Sequence, residues 1–429
     1  GRGAGMASAD PGAKFRRHHR KPFQNPLTWW GDTSWGWNRK VEFWTGSGEV
    51  EALSELFFDN LATLLGVTGA AVGHIGYGIV GNIGIGSAEY NLQVAQEWEK
   101  IYFQKHIPGA AFALLFGNLW YAWQCGRLGA KEKRTDVTAQ PYGMNTTGIF
   151  ITLYTITLGS LIDGVANNVG SVVEGDPASL QAAALAAATH GWKVSVGANF
   201  VMGLFEISGF FLGDLIRYLL PACAVFVPLT GVGFVWLAFS PVLDIAKEPM
   251  MCFLPFVIVV AGFFGFVRYP LWKGSSFTFP VALLAILVSV IIGWAGGCKH
   301  EGEAAGPDYY GYETCTGTDP EAARQAWNSY AFKPGVLSGV GTGLTGMADI
   351  GPYVATIFLV ACSGFLATMT CVESAELAGD AYPMAETMIV DGLGTCIGAI
   401  FGCFFSTTVY IGHPAHKQLG AKRGYSVVN

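Results

Sequence analysis

The sequence predicts an all-α membrane protein with several spans. Of its 429 residues, 51% are hydrophobic and only 13% charged. That is about half the charge of a soluble globular domain, so much of the surface is expected to face lipid. Apolar runs of about 17–25 residues, enough for a bilayer core of roughly 30 Å, recur at 52–73, 108–125, 147–163, 194–213, 219–239, 251–267, 279–297, 352–372 and 387–405. The 58 glycines exceed the usual count of about 30 for this length and suit closely packed or locally unwound spans. The net charge of −6 without a long basic run excludes nucleic acid as an expected partner.

The elements follow in order. Residues 1–47 form a polar tail with a basic cluster, Arg16, Arg17, His18, His19, Arg20 and Lys21. It has no secretory core and begins at Gly1, which fits processing or a fragment start. Residues 48–297 hold seven spans. Residues 75–88, apolar but Gly-rich and short, are expected to be re-entrant or a loop. Residues 298–351 form a long polar loop, and 352–429 hold two clear spans and a broken segment. Arg127, Lys131, Lys133 and Arg134, then Arg217, then Arg268 and Lys273 fall on one side if the N-terminus is cytoplasmic. The 164–193 and 298–351 loops then lie outside. The eighth span therefore starts on the side opposite the first, as an inverted repeat of a transporter requires. Roughly four more spans would complete a seven-plus-seven protein, so the native C-terminus is expected beyond Asn429.

Two segments interrupt the helical pattern. In 137–147, Gln140-Pro141 and Gly143 break a helix before the span at Ile149. In 404–416, β-branched and aromatic residues precede Gly412 and Pro414. Irregular backbone at bilayer depth must be buried in protein or line a cavity. Either break alone is read as an ordinary kink, but two in matching places of opposed halves point to short extended pieces that can pair at the midplane, with helix N-termini behind them offering N–H donors.

Ionisable groups in spans are costly and usually face a cavity or a partner. Glu373 is the strongest candidate, as a carboxylate that can accept ligand N–H donors and take up a proton. Glu376 and Asp380 lie one and two turns on. Asp59 and Asn60 interrupt the first span and either line a cavity or make a hydrogen-bonded helix contact. His413 beside Pro414 is either a substrate or proton group or a helix cap. Glu206 is read as a helix–helix contact, Asn118 and Asp391 as structural. Most cysteines lie in apolar segments as small buried hydrophobes. Cys298 and Cys315 share the outer loop, where a disulfide is expected if that side is oxidising. No metal-ligand spacing, P-loop or nucleophile–base pair appears, so neither a cofactor nor enzymatic activity is expected.

The order of these features resembles the nucleobase–cation symporter-2 family, the nucleobase–ascorbate transporters or xanthine/uracil permeases. The resemblance is carried by Leu56-Phe57-Phe58-Asp59-Asn60-Leu61 and by Gly117-Asn118-Leu119-Trp120-Tyr121-Ala122. It continues through Arg134-Thr135-Asp136-Val137-Thr138-Ala139-Gln140-Pro141-Tyr142-Gly143-Met144-Asn145-Thr146, Val372-Glu373-Ser374-Ala375 with Ala378-Gly379-Asp380, and Ser406-Thr407-Thr408-Val409-Tyr410-Ile411-Gly412-His413-Pro414. It covers residues 50–429 with gaps in the loops. It implies fourteen spans in two inverted repeats, core and gate domains, elevator-like alternating access, and short strands in the third and tenth spans. It also implies a nucleobase bound between those spans, with Glu373 as main ligand and proton group and Glu376 beside it. Tyr142, Gly143, Thr408, Tyr410, His413, Asp59 and Asn60 complete the implied site. The first-span pair is Asp-Asn rather than Gln-His, and His413 or Pro414 stands where Glu or Gln is common.

The expectation is thus a proton- or sodium-coupled symporter of purines, xanthine or uracil. The expected location is the plasma membrane, or else an organelle membrane, with lipid around it and a homodimer as an open assembly. The alternatives are an anion carrier of the same architecture and a non-transporting subunit of a larger membrane complex.

Overall fold

The computed structural model describes residues 41–219, 239–247, 249–265, 267–270, 272, 278–295 and 340–429, with single positions 227, 231, 234, 324 and 328. Most of the N-terminal tail, most of the expected 219–239 span and the Cys298–Cys315 pairing lie outside the described residues.

Among the described residues, four helical stretches are long and apolar enough to cross a membrane: Ser47–Asn82, Thr146–Ser171, Pro177–Ile216 and Gly351–Leu377. Cys252–Phe263 and Val281–Ile292 are apolar but shorter. The protein is membrane-embedded and mostly helical.

The first stretch starts as helix α1 (Ser47–Thr68) and continues through π-helical turns to Ile79 and a tighter turn to Asn82. The Gly-rich residues 75–82 therefore extend the first helix and form no separate re-entrant segment. Widened turns absorb the glycines without ending the hydrogen-bond ladder. Helix α2 (Ala88–Ile101) follows, its N-terminus capped by Ser87 Oγ, which accepts from Tyr90 N at 3.1 Å. Helix α3 (Ile107–Glu132) ends at Lys133, which adopts a left-handed φ of 56°.

Strand β1 (Tyr142–Met144) leads into helix α4 (Thr146–Thr152), π-helical turns and helix α5 (Leu158–Asn168). Asn145 caps α4, its Oδ1 accepting from Gly148 N at 3.1 Å. Helix α6 (Pro177–Leu219) is longer than the expected 194–213 span. The Ala-rich run 182–188 has the highest helix propensity, and Asp176 accepts from Ala178 N and Ser179 N at 3.1 and 3.3 Å. Much of the expected outer loop is thus helix.

Helices α7 (Ser240–Lys247), α8 (Pro249–Phe263) and α9 (Val281–Ala295) precede 3-10 turns over Thr342–Asp349 and Gly351–Tyr353. Helices α10 (Val354–Leu377) and α11 (Met384–Ile400), strand β2 (Thr407–Val409), and helices α12 (His413–Gln418) and α13 (Gly424–Val428) complete the chain.

α3 and α11 are not among the four long apolar stretches, although 108–125 and 387–405 read as spans. Most of α11 is buried against protein. It packs along α6 so closely that a Cβ on Gly392 would lie 2.5 Å from Gly203 O. A helix enclosed by helices can carry Glu386, Asp391 and two threonines where a lipid-facing one could not.

The apolar core beside the strands is aromatic. Trp98, Tyr102, Trp192, Phe404 and Phe405 are buried together. The two indole N–H groups donate to Ala71 O at 2.8 Å and Gly402 O at 2.9 Å, which satisfies their polar edges. Cys125, Cys371, Cys396 and Cys403 are buried and unbridged.

Candidate solute-binding site

The two strands pair antiparallel, with Tyr142 opposite Val409, Gly143 opposite Thr408 and Met144 opposite Thr407. All six residues are buried. Three-residue strands cannot hold register by their ladder alone, and side chains tie them down. Tyr142 is wedged between two helices: a Cβ on Gly117 of α3 would lie 2.0 Å from its Cε1, and one on Gly394 of α11 would lie 2.1 Å from its hydroxyl. That hydroxyl lies 2.6 Å from Thr407 Oγ1. Asp391 secures β2, its Oδ2 accepting from Thr368 Oγ1 at 2.7 Å, Thr408 Oγ1 at 3.1 Å and Val409 N at 3.2 Å. Tyr121 donates to Oδ1.

A second carboxylate ties the outer ends of both broken segments. Asp380 sits in the turn after α10, fully buried. Its Oδ1 accepts from Arg134 at 2.6 Å and Lys417 at 2.5 Å, and its Oδ2 from His413 Nε2 at 2.9 Å and Thr138 N at 3.1 Å. Burial alone would raise this carboxyl, but the hydrogen bonds and charges of His413 and Lys417 outweigh it and hold the group at about 2.

Beside the strands lies a cavity of 330 Å³ between α1, α4, α10 and the segment 408–412, the size of a small-ligand pocket. Glu55, Asp59 and Thr63 of α1 form one wall. They are four residues apart and so share one helix face. Asn145, Thr146 and Thr147 form another, at the N-terminal end of the stretch Thr146–Ser171, where helix N–H groups lack intrahelical acceptors. Thr408, Tyr410, Cys371 and His416 complete the polar lining. His416 Nε2 stands 3.2 Å from Glu55 Oε2. The lining therefore offers acceptors on one side and donors on the other.

Of the residues expected at the site, Asp59, Thr408 and Tyr410 line this cavity. Asn60 and Gly143 stand just behind it: the Tyr410 hydroxyl lies 2.9 Å from Met144 O and 3.1 Å from Asn60 Oδ1, and Gly143 leaves room for that ring. Tyr142 and His413 are buried in the strand anchors described above, away from the lining. Glu373 is buried on α10 but does not line the cavity; Cys371 does. Glu376, half-buried, is also outside the lining. Sequence reading passed over Glu55, Thr63, Asn145, Thr146, Thr147, Cys371 and His416. The four-residue spacing of Glu55, Asp59 and Thr63 was the available signal. No sequence signal distinguishes Cys371 from Glu373, because they differ by two positions and hence by face.

Among the described residues, no group of three or more His, Cys, Asp or Glu side chains could hold a metal ion. Comparisons with protein-family models, curated proteins and solved structures returned no match.

Proposed function

We propose that this chain belongs to a multi-pass secondary transporter of inverted-repeat type that carries nucleobases or closely similar planar polar solutes. The observation that carries the reading is the cavity itself. Acidic side chains of α1 line a cavity of 330 Å³ together with Asn145, Thr146 and Thr147 at the start of α4 and with Thr408 and Val409 of the second strand. A purine or pyrimidine base carries N–H donors and carbonyl or ring-nitrogen acceptors in one plane, matching carboxylates on one wall and the hydroxyls of Thr146, Thr147 and Thr408 on the other. The strands come from either side of the 298–351 segment, as two opposed halves would supply them. The buried strand anchors suit a rigid core that moves as one body past the wall formed by α1.

Asp59 is the leading solute acceptor in this reading, with Thr408 and Tyr410 as neighbours. Anion carriage is less favoured, because Glu55 and Asp59 would stand beside the anion. Uptake of radiolabelled purines and uracil by proteoliposomes tests the proposal. Asp59→Asn is expected to reduce uptake of the accepted base at least about tenfold, the loss of one charge-assisted hydrogen bond. Glu373→Gln is expected to reduce it less. Absence of uptake for every base, or anion exchange in its place, refutes the proposal. A larger loss in Glu373→Gln than in Asp59→Asn moves the site to α10.

A further inference from the structure

Behind the cavity wall lies a carboxylate that the solute site does not use. Glu206 of α6 is 1% exposed. Its Oε2 accepts from Thr395 Oγ1 of α11 at 3.2 Å. Among the described residues its Oε1 has no hydrogen-bond partner, and neither has Nδ2 of the buried Asn145. Both atoms face the same glycine: a Cβ on Gly364 of α10 would lie 2.4 Å from Glu206 Oε1 and 3.4 Å from Asn145 Nδ2. The Asn145 amide is held in that orientation because its Oδ1 accepts from Gly148 N.

Among the described residues, the surroundings offer no balancing charge. The titratable groups facing Glu206 are Asp391 and Cys396 of α11 and Tyr142 of β1, and none of them is a cation. Among the described residues, no Lys, Arg or His makes an ion pair with it. A buried carboxylate without a cation is strongly disfavoured in its charged form, so the site calls for a positive occupant. A hard metal cation needs a cage of oxygens, whereas here the amide hydrogens of Asn145 take one side. A proton needs only the carboxylate oxygen.

Two routes connect this group to the cavity. Asn145 is itself a lining residue. Thr395 Oγ1, besides donating to Glu206, accepts from Thr407 N at 3.1 Å and lies 3.4 Å from Thr407 O, next to the lining residue Thr408. When Glu206 is charged, the Thr395 hydroxyl proton points at Oε2. When Glu206 takes up a proton at Oε2, it becomes the donor, and the Thr395 proton turns to Thr407 O. The hydrogen bonding of β2 thus reads the charge state of Glu206.

We infer that Glu206 is the binding site of the coupling proton, and that Asn145 and Thr395 couple its occupancy to solute binding. The coupling part of this inference rests on the transport reading; the proton site does not. Two measurements separate them. Infrared pH-difference spectroscopy of the solute-free protein should show a protonated-carboxyl band that is lost in Glu206→Gln and shifted in Thr395→Val, which removes the hydroxyl donor and serves if the first variant does not fold. An unchanged band in either variant overturns the proton site. Above the pH at which the infrared band shows Glu206 losing its proton in the solute-free protein, proton uptake on binding of the base accepted in the uptake assay, measured by calorimetry in buffers of different ionisation enthalpy, should fall from near one per base to near zero in Glu206→Gln. Unaltered proton uptake overturns the coupling role. Failure of every base to bind overturns the transport reading while the infrared result stands.

Discussion

Replacing Asp380 with asparagine tests how the two broken segments are held together. The carboxylate joins Arg134, Thr138, His413 and Lys417, which lie on both sides of the chain's long central segment. Asparagine keeps one acceptor and turns an NH2 group toward the donors of the other oxygen. Breaking a buried ion pair costs about 3–5 kcal/mol. Arg134 keeps Glu132 and Asp136 as partners, and Lys417 is 19% exposed, so the loss belongs at the lower end, about 3 kcal/mol. Thermal unfolding of the detergent-solubilised protein, followed by tryptophan fluorescence, should show a midpoint roughly 5 °C lower. The pH dependence has a definite sign. The folded carboxyl stands at about 2 against an ordinary value of 3.8, so its contribution is present above the ordinary value. It is lost as pH falls through the window from about 4 to 2, and amounts to about 2 kcal/mol. The variant should lack this acid-sensitive component. A midpoint within about 1 °C of wild type, or the same acid sensitivity in both proteins, refutes the anchoring role.

Other substitutions test the local packing. Gly117→Ala should cost about 1–3 kcal/mol or more, because its Cβ would meet the Tyr142 ring, which Gly394 blocks on the far side. Gly66→Ala, where nothing lies within 4 Å, should leave the unfolding midpoint unchanged or raised, so equal losses in the two variants refute the wedge. Lys133→Gly should stabilise by about 1 kcal/mol, since Lys133 ends α3 with φ 56°. A lower midpoint shows instead that the lysine side chain contributes more than its backbone costs.

Much of the architecture was written in local chemistry. Gln140-Pro141 and Gly143 cannot continue a helix, and the β-branched run at 407–409 favours extended backbone, so both interruptions were visible without any fold. The cap signals Ser87 and Asp176 were equally local, although α2 and the first turns of α6, which they begin, were missed by looking for apolar runs alone. Hydropathy placed a span at 387–405 without saying what surrounds it; α11 is mostly buried against protein, and that burial explains Asp391 at its centre.

The sequence by itself determined that this chain lies in a membrane, because a charge content of 13% and long apolar runs leave few other ways to cover its surface. It also determined where the backbone must leave the helix, because proline and glycine act through their own geometry. Only the tertiary structure decided which carboxylates face what. Asp59 borders the cavity, Glu373 turns aside, Asp380 and Asp391 become anchors for the strands, and Glu206 stands against Gly364 with one oxygen unpartnered among the described residues. One residue along a helix turns a side chain by about 100°, so facing is fixed by how helices cross. Those crossings depend on glycine contacts such as Gly203 with Gly392, between residues far apart in the chain.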